Sequence, residues 1–128
     1  MYEKLSLSVR RKYGYDIIDM KGEISFEETK TLEDFVKGEI SQDTEHVIMN
    51  LDGVPFINSS ALSVVVKLMQ ELKERGIDLS IMNPNETVRG LFEMTGVKKH
   101  FKFIRNEEVL IEKIKQKELD SALNKLEE

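Results

Sequence analysis

The chain has 128 residues, enough for one domain with its own core. Its 19 basic and 24 acidic residues leave a net charge of -5, which argues against a nucleic-acid binder. Cysteine is absent, which excludes disulfides, thiolate catalysis and zinc–cysteine sites.

The first twelve residues carry Glu3, Lys4, Arg10, Arg11 and Lys12 and hold no apolar signal segment. No apolar run approaches the ~20 residues that span a bilayer. A cytoplasmic protein without a membrane partner is expected. Leu5, Leu7 and Val9 alternate with polar residues over Leu5 to Lys12, as in a half-buried strand. Tyr13-Gly14 makes a short break before a second strand, Tyr15 to Met20, so the pair predicts an antiparallel hairpin.

Gly22-Glu23-Ile24 ends that strand. Ser25 with Glu28 three residues on is a capping-box signal, so a helix is expected from there, with Leu32, Phe35, Val36 and Ile40 on one face. His46 to Leu51 is an apolar run suited to a buried strand. Asp52 to Asn58 predicts a loop, and Ala61 to Leu72 a helix stopped by Gly76. Ile77 to Met82 predicts a strand. Pro84-Asn85 opens a helix to about Met94, with Gly96 where a C′ residue belongs. Phe101 to Ile104 is a last strand, and Asn106 with Glu107 and Glu108 starts a final helix.

The order β-β-α-β-α-β-α-β-α predicts an α/β fold. An N-terminal hairpin is followed by parallel strands in a single mixed sheet, with helices packed against it. Residues 1–128 are expected to form one domain with an extended C-terminal helix from about 106. Beyond Lys115 that helix keeps Leu119, Ala122, Leu123 and Leu126 at helical spacing. Packing back on the domain, self-association as a homodimer and fraying are all open, the first two favoured.

Catalytic signatures are missing: there is no GxxxxGK[ST], GxGxxG, GxSxG or HExxH. His46 and His100 have no Asp, Ser or second His at ligand spacing, and the carboxylates fall mostly on solvated helix faces. No enzyme, metal site or cofactor is expected.

The informative stretch is Asp52 to Leu72. Asn58-Ser59-Ser60 places three cap-forming residues at a helix start. In one reading one of them is simply the N-cap; in the sharper one a serine hydroxyl there is a phosphate acceptor, beside free N–H groups at the positive end of the helix. On a helical wheel the apolar residues that follow cover an arc of about 200°, wider than a surface helix needs. Either the helix is buried on two sides or one edge faces a partner. Ser59 falls beside Ser63, Val66 and Gln70 at the apolar–polar boundary.

Four segments together resemble the STAS-domain anti-sigma-factor antagonists of bacteria. Gly22-Glu23-Ile24 is similar to the family's turn before its first helix, and Val47 to Asp52 to its central strand. Phe56-Ile57-Asn58-Ser59-Ser60-Ala61-Leu62 is similar to its hydrophobic-hydrophobic-D-S-S/T-G-L segment. Val88 to Val97 is similar to its R-x-L-F-x-x-[ST]-G-L helix end. The match spans about residues 5 to 113.

The resemblance implies partner switching. The unmodified antagonist binds an anti-sigma factor that is also a serine kinase, and so frees a sigma factor for transcription. Phosphorylation of the antagonist releases it, and a PP2C-type phosphatase reverses the modification. The acceptor position is Ser59, with Ser60 its less favoured neighbour. Asn58, Ser59, Ser60, Ser63, Val66 and Gln70 are the expected partner-binding residues.

Three positions depart from the family pattern. Asn58 stands for Asp, which removes a negative charge beside the acceptor. Ala61 stands for Gly, and its Cβ is expected where a kinase surface would approach. Ser25 stands where Asp is frequent. The alternative within the fold is a non-switching STAS scaffold or an accessory subunit of a sensory or transport complex. Outside it, a nucleotide- or small-molecule-binding domain lacks the phosphate-cradling glycines. Leu91, Phe92 and Met94 are expected in the core, and Thr95 as a turn hydroxyl.

Overall fold

β1 (Ser6–Lys12) and β2 (Tyr15–Lys21) meet in a two-residue turn in which Tyr13 and Gly14 both have positive φ, 59° and 81°. That geometry matches the twist of antiparallel strands and closes the hairpin with Lys12 opposite Tyr15. The structure, a computed structural model, describes residues 4–127. β3 (His46–Gly53), β4 (Asp78–Met82) and β5 (Lys102–Ile104) continue the sheet in parallel, in the spatial order β1-β2-β3-β4-β5. α1 (Thr29–Glu39), α2 (Ser59–Glu74) and α3 (Glu86–Met94) make the crossovers, and α4 (Glu107–Glu127) follows β5. The α/β fold is the single mixed sheet with flanking helices that the alternation predicts.

Strand alternation divides the core. Ile18, Val47, Met49, Leu79 and Ile81 share one face with Leu32 and Val36 of α1, Val65 and Leu68 of α2, and Val88 and Phe92 of α3. Phe92 meets Phe101 and Phe103 edge-on at 5.3 and 5.5 Å, a geometry that aromatic quadrupoles favour. Ile17, Ile48, Met82 and Ile104 lie on the opposite face beneath Leu110 of α4.

Two element starts differ from expectation, each for a local reason. Ser25 does not cap a helix. Its hydroxyl donates to Glu28 Oε1 at 3.2 Å, and Glu28 Oε2 accepts the Leu5 N–H at 3.0 Å. The expected capping pair therefore bonds to itself and to the chain before β1. Phe26–Glu28 becomes a 3₁₀ turn, and α1 begins at Thr29. At the other difference β3 runs on to Gly53, because Lys21 pairs with Gly53 across a register shift. β3 carries one extra residue there, a bulge that re-aims the chain as it enters the loop before α2.

The remaining boundaries follow their caps. Asn58, Asn85 and Asn106 each accept the N–H three residues on, at 2.8, 2.8 and 2.9 Å. Gly76 and Gly96 take φ of 77° and 74° just past α2 and α3, the left-handed conformation that ends a helix without a Cβ penalty.

Candidate functional site at the start of α2

The loops that leave the C-terminal ends of β2, β3 and β4 meet at one end of the sheet. Ile24 and Ile57 form an isolated parallel bridge, so the turn after β2 lies against the loop before α2. Gly22 N–H donates to the Gly53 carbonyl at 2.9 Å. From the other side Asn85 Nδ2 donates to the carbonyls of Val54 and Pro55 at 3.4 and 3.1 Å. The loop that presents residues 54–58 is therefore held on both flanks. In open α/β sheets, binding sites form at this end of the strands.

Asn58 is the N-cap of α2. Its side chain accepts from Ala61 and its carbonyl from Leu62, at 2.8 and 2.9 Å. Ser59 and Ser60 are the first two helical residues and both are exposed. Their N–H groups are among those without an intrahelical acceptor, so a charge on Ser59 Oγ would sit at the positive end of the helix. Ser63 Oγ donates to the Ser59 carbonyl at 3.0 Å. Ser63 and Gln70 are exposed and Val66 is half-buried along the outward side of α2. The structure thus puts Ser59, Ser63, Val66 and Gln70 in a strip along one side of α2, with Asn58 and Ser60 beside them at its first turn.

The wide apolar arc of α2 is mostly core. Ala61, Leu62, Val65, Leu68, Met69 and Leu72 are buried, and Val64 and Val66 pack partly against them. Beside the strip, ion pairs tie α2 to α1: Lys67 to Glu33 at 3.2 Å and Lys37 to Glu71 at 2.7 Å. Lys37 and then Lys67 hold the Glu33 carboxyl below its ordinary pKa, and Glu71 and then Glu33 raise that of Lys37.

Sequence reasoning missed the apolar half of the site. A groove of about 390 Å³ opens between the start of α2 and α3, lined by Phe56, Ile57, Ser59, Gly90, Leu91 and Met94 among others. Met94 is 87% exposed and Phe56 47%. The expected core trio of α3 is split: Phe92 is fully buried, Leu91 is half-buried and Met94 stands in solvent. The reason is the helix wheel, which turns Met94 about 200° from Phe92. Phe56 was visible as an aromatic beside a proline in a loop, whereas Phe26, 71% exposed, fell where a helix was expected and lies in a 3₁₀ turn instead. Glu86 is an acidic residue of the same groove.

Two further expectations are corrected. Ala61 is 0% exposed and belongs to the main core, so its Cβ does not face an approaching partner. His46 does have an acidic neighbour, because β3–β4 pairing sets it opposite Asp78 with Nδ1 3.8 Å from Oδ2. Thr95 Oγ1 donates to the Leu91 carbonyl at 2.8 Å, as a turn hydroxyl does. Among the described residues no group of three or more His, Cys, Asp or Glu is placed to hold a metal, and no helix is long and apolar enough to cross a membrane.

Residues 6–110 match the STAS domain family. The chain belongs to this family. The anti-sigma F factor antagonist of Lysinibacillus sphaericus is 28% identical over 82 residues, which make up 63% of this chain and 70% of that one. An anti-sigma factor antagonist from Mycobacterium paratuberculosis has the same fold, with a TM-score of 0.75 at 17% identity over 84% of this chain and 92% of that one. So does the Bacillus cell fate determinant and anti-sigma factor antagonist SpoIIAA. Its unphosphorylated form gives a TM-score of 0.66 at 22% identity over 84% of this chain and 93% of its own. Its phosphorylated form gives 0.63 at 21% identity over 85% and 98%. The exposed serine at the start of α2 and the groove beside it are features of this STAS chain's own geometry.

Proposed function

We propose that this STAS protein is a non-enzymatic anti-sigma-factor antagonist that works by partner switching. Unmodified, it docks an anti-sigma factor with serine kinase activity on the start of α2 and the groove toward α3. This frees a sigma factor for transcription. The kinase then phosphorylates Ser59, which ends docking, and a PP2C-type phosphatase restores the unmodified state. The protein acts in the cytoplasm.

The observation that carries this reading is the position of Ser59. It is exposed, at the first turn of a helix, and on the wall of an apolar groove. A phosphate adds about -1.5 to -2 charge there. The helix terminus stabilises it by ~0.3–1 kcal/mol, so the fold survives. The groove already holds Glu86. A partner side chain that fills it would have to desolvate the phosphate next to that carboxylate. Like-charge contacts in an interface cost several kcal/mol, and each ~1.4 kcal/mol is tenfold in affinity. The names of the relatives support the reading, as do the two phosphorylation forms of SpoIIAA.

The test uses three baits on native lysate, unmodified protein, Ser59→Ala and Ser59→Asp, with mass spectrometry of the bound proteins. A kinase-type anti-sigma factor is expected on the first two and lost at least tenfold from the third. Equal capture of scaffold or membrane components by all three would replace the switch with the non-switching reading.

A further inference from the structure

α4 carries two apolar stripes on opposite sides. Leu110 and Ile114 face the sheet, where Leu110 is buried with Ile17, Ile48, Met82 and Ile104. At about 100° per residue, Leu119, Leu123 and Leu126 lie about 180°, 220° and 160° around the helix from Leu110, with Ala122 at the edge at about 120°. The second stripe therefore points away from the domain. Leu119 is 54% exposed and Leu126 83%. Lys117, Glu118 and Ser121 of the same stretch line a shallow cavity against Tyr13, Tyr15 and His46, with Glu118 at its edge toward the stripe, so the outer stripe is not the one turned to the body.

The stripe has a seam pattern. Lys115, Leu119, Ala122 and Leu126 are spaced four, three and four, as the inward positions of a paired helix are. Glu118 and Lys125 then flank that seam on one side, and Leu123 flanks it on the other. These flanks decide orientation. A parallel pair would set Glu118 against Leu123 of the second helix, a charge against an apolar side chain. An antiparallel pair sets Glu118 against Lys125 of the second helix, and the two-fold axis repeats the contact. It also lays the aliphatic stem of Lys115 over Leu126.

We propose that the outer face of α4 is an isologous interface with a second copy of this chain, formed by antiparallel pairing of residues 115–127. The first turns of α4 are already docked on the sheet, so pairing does not have to order the helix, which lowers its cost. The seam is short and the dimer is in exchange with single chains. α4 lies on the sheet face opposite α2. The inference is thus independent of the function proposed above, and the dimer leaves both Ser59 sites open.

Sedimentation velocity of the full chain over a concentration series tests it. The expected mass rises from one chain toward two. Leu119→Glu keeps the mass at one chain throughout, with an unchanged helical circular-dichroism signal because the site is exposed. Glu118→Lys weakens association about tenfold, since two attractive contacts become repulsive. Glu118→Lys with Lys125→Glu restores it. A single-chain mass at every concentration overturns the proposal. So does a dimer that ignores Leu119→Glu, or one that Glu118→Lys weakens and the double exchange fails to restore.

Discussion

Arg10 Nη2 donates to Glu107 Oε1 at 2.7 Å across 97 positions of sequence, joining the first strand to the first turn of the last helix. The same guanidinium reaches both oxygens of Asp19, at 2.6 and 3.0 Å, and Asn50 Nδ2 adds a bond of 2.8 Å to Asp19. β1, β2, β3 and α4 thus share one polar network on the α4 side of the sheet. Burial pushes the Asp19 carboxyl up, but the hydrogen bonds from Arg10 and Asn50 outweigh it and hold the group below its ordinary pKa. Arg10 is held more firmly protonated by Asp19 first and Glu107 second.

The sign of the resulting pH dependence follows from linkage. A carboxylate whose pKa is lower in the folded state stabilises the fold above its unfolded value, and that stability is lost as pH falls through the folded value. The unfolded value is about 3.9. Asp19→Asn is expected to cost about 1–2 kcal/mol at neutral pH, the scale of a charged hydrogen bond. The variant also loses less stability than the native chain between about pH 5 and pH 3. Urea midpoints at both pH values measure this. Equal losses in the two proteins would show that Asp19 is not the responsible group.

The two substitutions in the serine segment act on the helix rather than on a partner. Asn58→Ala removes the cap on Ala61 and is expected to cost about 1 kcal/mol. Asn58→Asp keeps the cap and adds a charge that the helix terminus favours by ~0.3–1 kcal/mol. Ala61→Gly removes a buried methyl from the third helical position, at about 1 kcal/mol in helix propensity plus about 0.8 in burial. Thermal melts rank the three. Anti-sigma-factor affinity should stay where it was for Ala61→Gly; a rise would mean that the methyl does reach the partner.

Gly53 is required for steric reasons, not conformational ones. A Cβ built on it would stand 2.9 Å from the Met20 carbonyl oxygen and 3.2 Å from Lys21 Cα, both backbone atoms of the paired strand. Gly53→Ala must therefore push β2 and β3 apart where they hold the loop before α2. A loss of about 1–3 kcal/mol is expected, the range for overpacking. Denaturant unfolding checks it. Weaker anti-sigma-factor binding should accompany the loss, since the Gly22–Gly53 bond positions the same loop.

Legibility in the sequence followed periodicity. The hairpin, the strand–helix alternation and the asparagine caps rest on short-range signals, and all nine elements lie where those signals put them, to within a few residues. Ser25 failed as a cap because its hydroxyl bonds the Glu28 carboxylate rather than a backbone N–H, while the other oxygen of Glu28 binds Leu5, a residue 23 positions away. Asp16, within the second predicted strand, is fully buried and accepts the N–H of Ser41, 25 positions away, at 2.6 Å, a partner that periodicity does not show. The His46–Asp78 contact likewise exists through strand pairing alone. Within the site, the polar strip Asn58 to Gln70 was readable from helical spacing. The groove was not, because its two walls come from α2 and α3 and meet through packing on the sheet.

That groove gives the most direct test of docking. Phe56 and Met94 are exposed on either side of it and make no contribution to the main core. Phe56→Ser and Met94→Ser should each change stability by no more than about 0.5 kcal/mol, as surface substitutions do. Large apolar side chains at the centre of an interface are where truncation costs ~1–2 kcal/mol or more, so each should weaken binding of the unmodified protein to its anti-sigma factor about tenfold. Calorimetry with the purified partner measures the affinity, and a melt measures the fold. Leu126→Ser, on the opposite sheet face, is the control and should leave the affinity unchanged. If Met94→Ser and Phe56→Ser behave like that control, the partner is held by the polar strip of α2 alone. Ser59 would then act as a contact rather than as the gate of a groove.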